Sequence, residues 1–204
     1  MALSDVRVRV VDLDTAPGGD STTLDTAERE RAARLRDATD RRRYVTAHVE
    51  LRRVLGDATG VAAVDVEILR APCLACGEAH GKPVTRGAHF SLSRSGRWAA
   101  IALAEEPCGV DIEQAQDATR LAPLHADVVT PGEPLPPGPL GLLRTWVRKE
   151  ALLKATGAGL TRPMTEVRAD QALARGILRD LDGLPSGLVG AMAVADDSSG
   201  FTSS

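Results

Sequence analysis

Aromatic residues are nearly absent from this chain: two Trp, one Tyr and two Phe make up 2% of its 204 residues. The core must therefore rest on Leu, Val, Ile and Ala, and the stacking platforms of a single-strand nucleic-acid reader are missing. An excess of positive charge is missing too, because 25 Lys and Arg stand against 28 Asp and Glu, a net charge of -3. No global field exists to draw nucleic acid or an anionic membrane, and the positive charge is local, as between Arg29 and Arg43. No apolar run approaches the roughly 18 residues of a membrane span. The start, Met1-Ala2-Leu3-Ser4-Asp5, lacks the basic region and apolar run of a secretory signal, so the chain reads as cytoplasmic. There are three cysteines, Cys73, Cys76 and Cys108. An odd count without an export signal argues against a disulfide framework. What remains, 43% hydrophobic and 26% charged residues, is ordinary for a globular protein with one large domain or two small ones.

Hydrophobic periodicity divides the chain into strands and helices. Val6, Val8 and Val10 alternate, which predicts a strand over 6–13. Asp25-x-x-Glu28 has the form of a capping box and opens an Arg-rich helical stretch, broken near residues 37–40. In its second part Tyr44, His48, Leu51 and Leu55 share one helix face, and Gly56 can end it. Alternation at Val64, Val66 and Ile68 predicts a short strand. Residues 71–87 form a loop rich in Cys, Gly and Pro. Two strands, 90–93 and 98–104, flank Ser95-Gly96 as a hairpin, and 108–113 form another strand. Residues 115–139 have little pattern and end in a Pro-Gly loop. Residues 140–156 form the clearest helix, closed by Gly157 and Gly159. Residues 166–170 and 187–195 read as strands, and the polar tail 196–204 as frayed. No repeat is visible, and this alternation predicts an α+β or α/β fold.

Two segments carry chemistry. In Gly109-Val110-Asp111-Ile112-Glu113-Gln114, a strand places Val110 and Ile112 on one face and Asp111 and Glu113 on the other. Two carboxylates on one face suit Mg²⁺, a hard cation, although a solvated strand face has the same pattern. In Trp146-Val147-Arg148-Lys149-Glu150-Ala151-Leu152-Leu153-Lys154, Glu150 and Lys154 stand one helical turn apart. They form either a surface ion pair of little energetic value or a third metal carboxylate beside a phosphate-binding ammonium. In the second case the cation and Lys154 together offset the charge of a pyrophosphate.

This pair of motifs resembles the 4′-phosphopantetheinyl transferases, in which Gly-[Val/Ile]-Asp-x-Glu is followed some tens of residues later by Trp-x-x-Lys-Glu-x-x-x-Lys. Arg43-Tyr44 through Arg52-Arg53-Val54-Leu55-Gly56 resembles the family's N-terminal helix. Gly81-Lys82-Pro83 resembles its Gly-Lys-Pro turn, and Phe90-Ser91-Leu92-Ser93-Arg94-Ser95-Gly96 its Phe-x-[Leu/Ile]-Ser-His-Ser-Gly segment. The likeness runs from about Val6 to Ala195 and is closest to the larger, monomeric, surfactin-type class. It implies a pseudo-dimer of two similar α/β halves, 1–105 and 106–204, with the active site between them. It implies that coenzyme A is the substrate and that the 4′-phosphopantetheine arm passes to a serine of an acyl or peptidyl carrier protein. Such carriers serve polyketide, nonribosomal-peptide or fatty-acid synthesis. By the same resemblance Asp111, Glu113 and Glu150 hold Mg²⁺ or Mn²⁺ on the pyrophosphate, and Lys154 contacts the phosphates. Ser93 and Arg94 contact the pyrophosphate, Arg52 meets the 3′-phosphate, and Lys82 and Pro83 lie along the adenosine end. Glu150 is the base for the carrier serine, directly or through water, and 3′,5′-ADP leaves.

Two features stand outside that pattern, Arg94 and a Cys-rich loop. Arg94 occupies the place of the family's His; it can bind phosphate in a two-pronged way but cannot titrate. A non-catalytic coenzyme A or nucleotide-binding relative is the alternative that this exchange favours. Cys73-x-x-Cys76-Gly77-x-x-His80 has partial zinc-ligand spacing with no second Cys-x-x-Cys nearby, so Cys108 or His89 would have to complete a four-residue site. It also allows a zinc-stabilised interaction protein. His48 reads as a packed helix residue, Trp146 as a packing anchor, and Arg29 to Arg43 as a solvated face able to help draw in coenzyme A or an acidic carrier helix.

Overall fold

Residues 3–195 are described by a computed structural model; Met1, Ala2 and the tail 196–204 lie outside them. The valine alternation gives β1 (Arg7–Asp12). It is an edge strand of a three-stranded antiparallel sheet, order β1-β5-β4, in which β4 (His89–Ser95) and β5 (Trp98–Ala104) form the expected hairpin. Every residue of β5 after Trp98 is buried, so its alanines are pressed from both faces.

Two helices lie between β1 and the hairpin. The capping box opens α1 (Thr26–Arg34): the Asp25 carboxylate accepts from the Glu28 amide at 2.8 Å and Glu28 returns the bond at 3.1 Å. Asp37 caps α2 (Ala38–Thr59). Gly56 does not end α2, as its sequence position suggested. The helix runs on to Gly60 at φ +72, and Gly56 is needed because a Cβ there would sit 2.6 Å from the Val61 carbonyl as the chain doubles back. Ala47, Leu51 and Leu55 of α2 pack on Ala99, Ile101, Leu103 and Phe90, each fully buried aliphatic contributing about 1.5–3 kcal/mol.

The strand expected over 64–68 does not form. Residues Ala63–Asp65 make a 3-10 turn, and Val64 is 58% exposed. The nearest pairing is a two-residue bridge between β2 (Leu69–Arg70) and β3 (Pro83–Val84), the stem of the Cys-rich loop.

The second half begins with β6 (Cys108–Gln114) and continues through two short helices, α3 (Ala118–Leu121) and α4 (His125–Val128), to α5 (Gly141–Thr156). Gly157 at φ +76 caps α5. The strand expected over 166–170 is instead a 3-10 turn (Met164–Glu166) and the start of α6 (Ala169–Ala174). β7 (Leu178–Asp180) is too short to carry a period, and β8 (Leu188–Val194) closes the sheet in the order β6-β8-β7.

The cores give a mixed α/β fold of four layers. Val8, Val10, Ala100 and Ala102 meet Val110, Ile112, Met192 and Val194 between the sheets, and α2 covers the outer face of the first sheet. Leu143, Val147, Ala151 and Ala155 of α5 cover Leu178, Val189, Ala191 and Ala193 on the outer face of the second. Each half thus runs strand, long helix, antiparallel pair, with its last strand in the middle of the sheet. Among the described residues no helix is long and apolar enough to cross a membrane.

Candidate active site

The two sheets meet along β4 and β6, and serine side chains bridge the seam. The amides of Val110, Ile112 and Gln114 donate to the hydroxyls of Ser91, Ser93 and Ser95 at 3.1, 3.2 and 3.1 Å. A hydroxyl that accepts still has a proton to give. Ser93 donates to Asp111 Oδ1 at 2.8 Å, and Ser95 donates to Glu113 Oε2 at 2.6 Å. The seam therefore aims both carboxylates of β6. Because Val110 and Ile112 face the first sheet, Asp111 and Glu113 face α5.

Gly109 sets how close α5 comes. A Cβ at Gly109 would lie 2.0 Å from the Ala151 carbonyl oxygen and 2.5 Å from the Ala155 amide nitrogen, so the helix backbone rests directly on the strand. Glu150 and Lys154 are carried in with it. Lys154 Nζ donates to Asp111 Oδ1 at 2.6 Å. That oxygen takes both the lysine and Ser93, whereas Asp111 Oδ2 is buried and bonded to nothing.

The electrostatics follow from this crowding. Burial pushes the Asp111 carboxyl above the usual carboxylate range, more than Lys154 and Ser93 pull it back. Burial raises Glu113 as well; Ser95 opposes that and the Asp111 charge adds to it. Glu150 is raised by burial and then by Asp111, with Lys154 opposing. Three carboxylates share one ammonium, so the site is short of positive charge. A buried unpartnered carboxylate oxygen costs about 1–3 kcal/mol unless something binds it. Oxygen-only donors suit a hard cation such as Mg²⁺ or Mn²⁺. Asp111, Glu113 and Glu150 thus offer the donor type such an ion takes, although their oxygens do not all lie within 4.8 Å of one another.

The other expected site residues are placed differently. Ser93 is buried and engaged by Asp111 and Ile112. Arg94 is exposed beyond the seam, its guanidinium 5.1 Å from the Tyr44 ring centroid. Lys82 reaches across the halves and donates to the carbonyls of Cys108 (2.8 Å) and Ala155 (3.2 Å); burial lowers its pKa. Pro83 opens β3. Arg52 does not reach the surface as a 3′-phosphate contact requires. It is 1% exposed, and its guanidinium donates to Glu28, Asp25 and the Val66 carbonyl at 2.7–2.8 Å. Its donors tie the α1 cap to α2. His48 stacks on Tyr44 at 3.9 Å with Nδ1 2.9 Å from the Tyr44 carbonyl, and burial lowers its pKa to about 4. Trp146 is half-buried beside the α5 cores.

Lys149 was missed by sequence reasoning. Fully buried, it pairs with Glu133 at 2.5 Å and donates to the carbonyls of Val128 (2.7 Å) and Met164 (3.1 Å). Glu133 also accepts from the amides of Thr130 and Ala169. One ion pair thus pins two irregular segments to α5 beside Glu150. The signal was available: Lys149 lies four residues after Thr145 and three before Leu152, on a buried stripe.

Two surface depressions lie away from the carboxylates. One is lined by Leu124, Val128, Trp146 and Met164, the other by Gly19, Arg29, Arg41 and Arg42. The acidic site is an open seam between the halves.

The family model of the 4′-phosphopantetheinyl transferase superfamily matches residues 107–186, the stretch that carries Asp111, Glu113, Glu150 and Lys154. The chain is also similar to a curated protein, 4′-phosphopantetheinyl transferase psf-1 of Bacillus pumilus. The identity is 29% over 152 residues, 70% of this chain and 61% of that relative.

Proposed function

We propose that this chain transfers the 4′-phosphopantetheine arm of coenzyme A to a serine of an acyl or peptidyl carrier protein, with Mg²⁺ or Mn²⁺, releasing 3′,5′-ADP. One observation carries the reading: a buried carboxylate with an unpartnered oxygen, Asp111 Oδ2, flanked by Glu113, Glu150 and Lys154 on the seam between the halves. The family and the relative that the chain resembles support the same chemistry.

Asp111, Glu113 and Glu150 would hold the cation, which when bound neutralises the coenzyme A pyrophosphate and polarises it toward attack. Lys154, now on Asp111, is the ammonium that the phosphates draw to themselves. Arg94 makes no ion pair among the described residues. Its guanidinium lies over Tyr44 on the α2 side, so reaching the pyrophosphate requires it to leave that ring. Glu150 takes the proton of the carrier serine, directly or through water, as the serine oxygen attacks the β-phosphorus. The bond from that phosphorus to the oxygen bridging the α-phosphate breaks, and 3′,5′-ADP departs with the electron pair. Positioning and charge stabilisation carry the rate.

The shared strand plan supports two related halves, 1–105 and 106–204, joined by the turn at 105–107. A match of 152 residues must extend into both, as a larger, surfactin-type monomer requires.

The test is the intact mass of an apo carrier protein after incubation with the chain, coenzyme A and Mg²⁺. A gain of one phosphopantetheine, lost with Glu150→Ala and lost without metal, supports the reading. No gain on acyl and peptidyl carriers alike, with coenzyme A binding retained, replaces it with a non-catalytic coenzyme A-binding relative.

A further inference from the structure

The Cys-rich loop between β2 and β3 is a closed excursion whose stem is tied by the Ala71 amide to the Lys82 carbonyl and the Gly81 amide to the Ala71 carbonyl, each at 2.9 Å. Little apolar burial supports it: Leu74 is 54% exposed, and Cys76 and His80 are exposed. Yet three ligating atoms converge there. Cys73 Sγ, Cys76 Sγ and a His80 ring nitrogen lie within 4.8 Å of one another, the only such trio of metal-ligating side chains among the described residues. Cys76 Sγ is 3.1 Å from His80 Nε2.

The backbone is shaped around the sulfurs. Gly77 donates to the Cys73 carbonyl at 2.8 Å and turns the chain at φ +77, a left-handed conformation that glycine adopts without strain. The amides of Ala75 and Cys76 point at the Cys73 sulfur, and such bonds favour a thiolate. The Glu78 carbonyl accepts from both Cys73 and His80 at 2.8 Å, which folds His80 back over the cysteines.

We propose that Cys73, Cys76 and His80 bind a thiophilic divalent cation, Zn²⁺ foremost, as a structural clamp distinct from the acidic seam. Two sulfurs and an imidazole select Zn²⁺, whereas the oxygen-only seam selects Mg²⁺ or Mn²⁺. Cys108 does not complete the set. It is fully buried, with its thiol directed to the His89 carbonyl. Among the described residues no fourth ligating side chain joins the trio, so water would complete a tetrahedral ion. The clamp is separated only by Gly81 from Lys82, whose ammonium bridges the Cys108 and Ala155 carbonyls of the far half. Fixing the loop therefore fixes the arm that spans the two halves. This inference does not depend on the transferase reading.

The full chain, made without a histidine tag and purified under reduction without added metal, is analysed for bound metals and then stripped and titrated with Co²⁺. The expected result is about one zinc per chain, and Co²⁺ giving tetrahedral visible bands with thiolate charge transfer in the near ultraviolet. Cys76→Ser and His80→Ala should each weaken Co²⁺ binding at least about tenfold. Glu150→Ala should leave it unchanged, which separates this site from the seam. Zinc-free protein with no tetrahedral Co²⁺ spectrum overturns the proposal. So does a Cys73–Cys76 disulfide that persists under reduction, or a Co²⁺ spectrum unaltered by Cys76→Ser.

Discussion

Adding one methyl group at Gly109 should dismantle the site without touching a charged residue. The Cβ of Gly109→Ala would lie 2.0 Å from the Ala151 carbonyl oxygen, 2.5 Å from the Ala155 nitrogen and 3.0 Å from the Ala151 carbonyl carbon. All three are backbone atoms of α5, so no rotamer change relieves the clash. The helix must move off β6 by about 1.5 Å to restore an ordinary contact. Such overpacking costs about 1–3 kcal/mol. The same displacement stretches the 2.6 Å Lys154–Asp111 contact past hydrogen-bonding distance and withdraws Glu150. A misplacement of that size costs on the order of 100-fold in rate. Urea unfolding followed by circular dichroism reads the first effect, and the initial rate of carrier modification the second. Gly18→Ala is the control, because nothing lies within 4 Å of its Cβ. A Gly109→Ala protein as stable and as active as Gly18→Ala would refute the claim that direct helix-on-strand contact assembles the carboxylates.

Lys149→Met should destabilise the fold by about 3–5 kcal/mol, since it leaves Glu133 buried without its cation. Lys149→Met with Glu133→Leu should recover much of that loss in urea titrations, and no recovery would mean that the helix rather than the pair needs lysine. Arg94→Ala should weaken coenzyme A binding in a salt-dependent manner by calorimetry, and unchanged affinity and turnover would remove Arg94 from the pyrophosphate. His48 titrates at about 4 in the fold, against an ordinary value of 6.5. The unfolded chain therefore takes up this proton first as pH falls, so the His48 contribution is full above pH 6.5 and drains away toward pH 4. The slope is up to about 1.4 kcal/mol per pH unit. His48→Leu should flatten wild-type stability measured across that window, and identical slopes would place the ring in solvent.

The legible parts of the fold were those with local causes. The α1 capping box, the α2 break at Asp37, the β4–β5 hairpin and α5 are each dictated by residues within a few positions of one another. The strands expected at 64–68 and 166–170 failed for a non-local reason: alternation needs a partner strand, and among the described residues no strand pairs with either stretch. β7 was illegible because three residues, Leu178, Arg179 and Asp180, carry no period, and its existence depends on β8 alongside. Of the candidate site, motif spacing pointed to Asp111, Glu113, Glu150 and Lys154, which β6 and α5 carry to one seam. It did not show that Ser93 spends its hydroxyl inside the protein, or that Arg52 is buried under the α1 cap. Both facts depend on packing between segments tens of residues apart. The Cys73, Cys76 and His80 spacing was visible, but their convergence depended on the Glu78 and Gly77 backbone bonds, which spacing alone does not supply.

The seam gathers negative charge that its own residues do not balance. Burial raises all three carboxyls, the Asp111 charge raises Glu113 and Glu150 further, and the ammonium of Lys154 is already on Asp111. On the proposed reading, coenzyme A alone would add pyrophosphate charge to a site that is already short of cations, whereas a divalent ion alone would neutralise the carboxylates with coordination positions left over. Each ligand therefore removes the main obstacle to the other, and by linkage the benefit is reciprocal. The surrounding structure holds this unfavourable arrangement in place before either arrives. The serine bridge fixes β6 against β4, Gly109 holds α5 on the strand, and the Lys149–Glu133 pair braces the segments behind Glu150. None of these groups needs to touch substrate. Their stability offsets the cost of a preorganised acidic seam, and Ser91, Ser93, Ser95, Glu133 and Lys149, all buried, belong to these supports.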